Sequence, residues 1–163
     1  MKPTTRAALM AAVLLLLAGC APVVVLDAAA DASNPDCATM MVRLPETVGG
    51  LTVRETDAQA TAAWGQPASL LLRCGVPSPA PTATLPCITV DGVDWLRDDT
   101  DDPNFVFTTY GRTPAVEVII DSDGDPAVGT DGVSGFEALS DLAPAIGEIA
   151  ADRACVSPEV AGG

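Results

Sequence analysis

The side chains able to do chemistry in this 163-residue sequence are five cysteines, 22 carboxylates and seven arginines. Histidine is absent and the sole lysine is Lys2. In the mature chain, which loses Lys2 with the leader, a histidine-containing triad, a histidine-ligated metal and a lysine Schiff base have nothing to build on. Paired carboxylates are the catalytic device that remains, and they would suit hydrolysis of glycosides in a cell wall. With 22 acids some pair always looks plausible, so no catalytic residue is assigned.

The acidic runs offer a second chemistry. Asp121-Ser122-Asp123-Gly124-Asp125 opens like a calcium loop, but its sixth position is Pro126 and its twelfth is Gly132, where glycine and glutamate are wanted. Asp98-Asp99-Thr100-Asp101-Asp102 is a similar run. Both read as solvated loops, with loose calcium binding as the rival reading. No metal site and no cofactor is assigned.

Arginines and aromatics offer recognition. Arg73 lies in the apolar run Ala68 to Cys74, where it needs a carboxylate partner or serves as an anion clamp. Arg112, next to Tyr110 and Gly111, reads as a turn residue or a second clamp. Trp64 and Trp95 either anchor the core or stack on a ligand. Arg73, Arg112, Trp64, Trp95 and Tyr110 are thus the candidate ligand-binding residues.

One cysteine has a different chemistry. Lys2 and Arg6 precede the apolar stretch Ala7 to Ala18, which as a helix rises about 18 Å and is too short to span a bilayer. This is a signal peptide, residues 1–19, and Leu17-Ala18-Gly19-Cys20 resembles the bacterial lipobox. Cys20 is the expected lipidation site, which places the protein on the outer side of the cell membrane. Export leaves six arginines against 22 acids, a net −16, so nucleic acid is not a partner and an anionic lipid surface repels the domain. Several acyl chains on Cys20 must supply the attachment that a polybasic patch cannot.

Four cysteines remain, Cys37, Cys74, Cys87 and Cys155, an even number that reads as two disulfides in an oxidising compartment. The proline-rich stretch between Cys74 and Cys87 suggests a bridge at the base of a hairpin, which pairs Cys37 with Cys155. A four-thiolate zinc site lacks any Cys-x-x-Cys pair.

The elements that position these residues follow from periodicity. Residues 20–35 read as the lipidated cysteine and a tether, with a possible first strand at 23–26. Asn34-Pro35-Asp36 opens a helix through Cys37, Met40, Met41 and Leu44, closed by Pro45. Residues 51–55, 68–74, 88–90, 93–96, 105–110 and 115–120 read as strands, and Asp91-Gly92 as a tight hairpin turn. Ser134-x-x-Glu137 caps a helix with Phe136, Leu139, Leu142, Ala143, Ile146 and Ile149 on one face, ending near Arg153. Without βαβ alternation, the expected fold is α+β: an antiparallel sheet of about five or six strands with two helices on one face and two disulfides. A single domain occupies 36–156 and 157–163 is a tail.

Several short blocks taken together resemble a known family. They are Trp64-Gly65-Gln66-Pro67, Leu72-Arg73-Cys74-Gly75-Val76-Pro77, Gly92-Val93-Asp94-Trp95-Leu96, Thr108 to Pro114 and Val116-Glu117-Val118, with a cysteine and Leu44-Pro45 upstream. In order and number they resemble the actinobacterial lipoproteins known as domain of unknown function 3515, from about Val23 to Cys155. The acidic loops 98–103 and 121–131 look like elaborations on that pattern. The resemblance implies an exported, membrane-tethered protein with no assigned activity, and it adds no catalytic residue. The expected function is a non-enzymatic, membrane-anchored envelope lipoprotein that binds an envelope protein or a small ligand. A carboxylate-dependent cell-wall hydrolase and a calcium-stabilised scaffold or adhesion module are the alternatives.

Overall fold

Alternating burial along the strands decides the architecture. A computed structural model describes residues 22–124, 127 and 132–156. The expected signal peptide 1–19, Cys20, the expected tail 157–163 and most of the acidic loop 121–131 lie outside the described residues. The elements are α1 (Pro35–Met41), β1 (Thr47–Val48), β2 (Leu51–Arg54), β3 (Thr61–Trp64), β4 (Leu70–Val76), β5 (Cys87–Val90), β6 (Val93–Asp101), β7 (Asn104–Thr109), β8 (Ala115–Asp121) and α2 (Gly135–Ile146). The strands form one antiparallel sheet in the order β1-β2-β3-β4-β8-β7-β6-β5.

In β4, Leu70, Leu72 and Cys74 are buried while Leu71 and Arg73 are half-buried. Their partners in β8 repeat this: Val116, Val118 and Ile120 are buried, Glu117 and Ile119 half-buried. The inner face joins Trp64, Trp95 and Phe107 to Cys37 and Met40 of α1 and to Leu139, Leu142 and Ile146 of α2 in one core. Both helices therefore cover the same face, as an α+β sheet requires.

Local signals set the helix ends. The Asn34 side chain accepts a hydrogen bond from the Asp36 amide at 3.0 Å, with Pro35 at the first helical position. Ser134 accepts from the Glu137 amide at 3.4 Å. Asp91 and Gly92 both have positive φ, 45° and 79°, as the primed turn joining β5 to β6 demands.

Several expectations need correction. The sheet has eight strands rather than five or six: β1 is only two residues long and all four residues of β3 are buried, so neither shows the alternation that marks a strand in sequence. Residues 23–26 form no strand, only an isolated bridge between Val24 and Thr56. α1 ends at Met41, with Arg43 and Leu44 in a turn on Met40 and Met41. α2 ends at Ile146, where Gly147 takes the cap position, rather than near Arg153. Phe136 is 69 % exposed and is not part of the buried face.

Residues 22–34, expected to be a tether, are hydrogen-bonded to the domain. The Val24 amide donates to the Glu55 carbonyl at 2.9 Å, Leu26 to Asp57 Oδ1 at 2.9 Å and Asp31 to the Gly75 carbonyl at 3.0 Å. The approach at Gly75 is so close that a Cβ there would lie 2.4 Å from the Asp31 carbonyl carbon.

The disulfides join Cys37 to Cys74 and Cys87 to Cys155, with Cα–Cα distances of 5.6 and 5.7 Å. The expected Cys74–Cys87 pairing fails because β4 and β5 are not a hairpin. Strand β8 pairs with β4, and β7 and β6 follow, so β5 is the far edge of the sheet. Four strand spacings separate the two cysteines, roughly 19 Å, far beyond disulfide reach. The actual bridges close 37- and 68-residue separations, each contributing about 4 kcal/mol on a loop-entropy estimate.

Candidate functional site

Two cavities set an arginine among apolar side chains. The first lies on the outer sheet face, over the central strands β4 and β8, and is bordered by residues 25–27. It encloses about 230 Å³. Leu71 and Ile119, directly paired across the strands, supply its apolar floor. Arg73 and Glu117 are the next inward-to-outward pair on the same face, and Arg73 Nε donates to Glu117 Oε1 at 2.6 Å. The Arg73 side chain is 41 % exposed, so this ion pair is a weak stabiliser, about 0–1 kcal/mol.

The second cavity lies on the inner face, between β5, β6, β7 and the N-terminal end of α2, and encloses about 300 Å³. Ile88, Val90, Phe105, Phe107 and Leu139 make its walls apolar, and Phe136 stands at its edge. Arg97 is its cation. The guanidinium carbon sits 4.6 Å from the Phe105 ring centroid, a favourable cation–π distance. Arg97 Nη2 pairs with Asp99 at 3.4 Å, whereas its Nε is buried without a hydrogen-bond partner. Gly135, at the positive end of α2, also lines the cavity. The result is an open apolar pocket with a guanidinium, paired to Asp99, at one side, a setting for an anion with an apolar body.

The other candidates are buried. Trp64 is fully buried and donates Nε1–H to the Pro45 carbonyl at 3.2 Å. Trp95 is fully buried, edge-on to Phe107 at 6.5 Å between ring centroids. Tyr110 is buried beneath Arg153, whose guanidinium carbon lies 5.6 Å from the ring centroid. Arg112 is buried, and its guanidinium donates to the Ile149 and Gly92 carbonyls. Burial pushes Arg112 below the ordinary arginine value, and the charge of Asp94 pulls it partly back. Arg112 thus clamps the C-terminal segment over the β7–β8 turn. The structure does not bring these five residues together: Arg73 faces outward, the tryptophans face the core and Arg112 ties down a strap.

Arg97 was legible by period. Val93, Trp95 and Arg97 fall on one side of β6, and the first two are core residues. That alternation points the arginine inward, the signal by which it could have been found beside the more conspicuous Arg73.

The acidic runs meet, and the first is no loop: Asp98–Asp101 continue β6, paired with β7, because Asp98 lies opposite Val106 and Asp101 opposite Asn104, while Asp121 ends β8. The Ser122 amide donates to the Pro103 carbonyl at 3.1 Å, linking 98–103 to 121–124. Partial loss of solvent raises the Asp123 carboxyl above its ordinary value, reinforced by a hydrogen bond with Asp121 and by the charges of Asp121 and Asp102. Asp98 is held below its usual value by hydrogen bonds from Thr100. Among the described residues no group of three His, Cys, Asp or Glu side chains is disposed to hold a metal ion. Asp123 lines neither cavity described above.

The model of a family described as "Protein of unknown function (DUF3515)" matches residues 4–154 of the chain. No curated protein and no solved structure matches.

Proposed function

Starting from the fact that the chain belongs to the DUF3515 family of proteins of unknown function, we propose that it is a lipid-anchored, extracytoplasmic, non-enzymatic binding module for an amphiphilic anion. The observation that carries the binding reading is the Arg97 cavity: about 300 Å³, walled by Ile88, Val90, Phe105, Phe107 and Leu139, with a guanidinium whose Nε lacks a partner. A carboxylate or sulfonate with an apolar body would meet Arg97 with its charge and the chamber with its body. An acidic protein gains selectivity from such a site, because long-range repulsion disfavours anions that cannot also bury apolar surface.

The anchoring reading draws on the sequence Leu17-Ala18-Gly19-Cys20 behind a short charged and apolar leader. It agrees with two disulfides, which persist in oxidising compartments. Incorporation of labelled palmitate into the exported protein, and its loss in Cys20→Ser, is the expected result. Continued labelling of that variant contradicts the anchor.

The binding reading is tested with 1-anilinonaphthalene-8-sulfonate, an apolar body carrying one sulfonate. Its fluorescence is expected to rise to saturation at one dye per chain and to fall on addition of dodecanoate. A weak, non-saturating rise contradicts the reading.

A further inference from the structure

Residues 22–27 end the described chain on the side of the sheet opposite the helices, and they are fixed there. Arg54 donates to the Pro22 carbonyl at 2.6 Å and to the Gly65 carbonyl at 2.8 Å. Val24 donates to the Glu55 carbonyl and accepts from the Asp57 amide at 3.3 Å. The segment is extended, so alternate side chains part: Val24 and Leu26 are half-buried, while Val23 and Val25 are 46 % and 79 % exposed.

Only Ala21 stands between Pro22 and Cys20. Two residues of fully extended chain reach about 7 Å. A lipid carried by Cys20 would therefore leave the fold almost no freedom to stand off from the bilayer. We propose that the surface carrying Val23 and Val25 rests against the membrane interface, with the outer sheet groove of Leu71, Arg73 and Ile119 beside it and the helical face turned away. This rests on the anchoring reading above. The net negative charge opposes approach to anionic headgroups. Apposition is set instead by the short connection, with the two valines as the side chains that enter the interface. In consequence the Arg97 cavity, on the opposite sheet face, stays open to the space outside the membrane.

Contact quenching tests the orientation. The native tryptophans, Trp64 and Trp95, are fully buried and out of reach of a lipid-borne quencher. Val25→Trp and Val42→Trp each add one exposed reporter, the second at the end of α1, where Val42 is 83 % exposed. The full-length lipidated proteins are reconstituted in phosphatidylcholine vesicles with bromine high on the acyl chains. Emission from position 25 is expected to be quenched severalfold more strongly than emission from position 42. Acyl mass present on Cys20 with equal quenching at the two positions overturns this inference alone. Absence of acyl mass on Cys20 overturns the anchoring reading and this inference with it.

Discussion

The Arg54 guanidinium holds the Pro22 carbonyl at 2.6 Å, and so fastens the first described residue to β2. The same group also donates to the Gly65 carbonyl at 2.8 Å, on the turn after β3. Replacing Arg54 by Ala removes both charge-assisted hydrogen bonds, at an expected cost of about 1–3 kcal/mol in chemical denaturation. Hydrogen exchange should accelerate selectively at the amides of Val24 and Leu26. Unchanged exchange there would show that the segment is held by something other than this arginine.

Non-reducing peptide mapping of the purified protein is expected to recover Cys37 linked to Cys74 and Cys87 linked to Cys155. Removing the first pair by Cys37→Ser with Cys74→Ser should cost about 4 kcal/mol on the loop-entropy estimate. A linked Cys74–Cys87 peptide would require β5 to lie beside β4 and would contradict the strand order.

Arg112→Met leaves the Ile149 carbonyl without its charged donor in a buried position. The expected loss is about 2–4 kcal/mol, read from denaturant midpoints. Arg73→Met removes only a partly exposed pair and should cost about 0–1 kcal/mol. Equal effects of the two substitutions would contradict the structural division between strap and surface.

Asp123 titrates above its ordinary value in the folded protein. The folded state then binds the proton more tightly than the unfolded chain. The stabilisation this group provides is present below pH 3.8 and is lost as pH rises through its raised folded value. Asp123→Asn should therefore raise Tm at pH 7 relative to the parent, and the difference should shrink toward pH 3. A lower Tm for the variant at pH 7 would show that the Asp123 charge is stabilising after all.

Much of the fold was legible because local chemistry and tertiary packing agree. Asn34 before Pro35 starts α1, Asp91-Gly92 makes the β5–β6 turn, and alternation in β7 and β8 picks out Phe107, Val116, Val118 and Ile120. The β3 strand was hidden because burial on both faces replaces Thr61-Ala62-Ala63-Trp64 alternation with continuous packing. The disulfide pairing was hidden because it depends on which strand joins the open edge of β4. Strand β8, some forty residues on in the chain, takes that place, and no local signal announces it. The arginine of the proposed binding cavity is inconspicuous for a related reason. Arg73 interrupts an apolar run and draws notice, whereas Arg97 introduces the acidic run 98–102 and looks like part of a solvated loop.

On the function proposed above, the inner cavity binds an anion with an apolar body through Arg97. Calorimetric titration with dodecanoate and with dodecanol, on the parent and on Arg97→Gln, tests it most directly. The parent is expected to bind one dodecanoate per chain and to bind dodecanol at least tenfold more weakly, about the 1.4 kcal/mol that one charge-assisted contact is worth. Arg97→Gln should erase that preference while leaving Tm within a few degrees of the parent. Equal affinity for the acid and the alcohol in the parent, or an undiminished preference in the variant, would contradict the account.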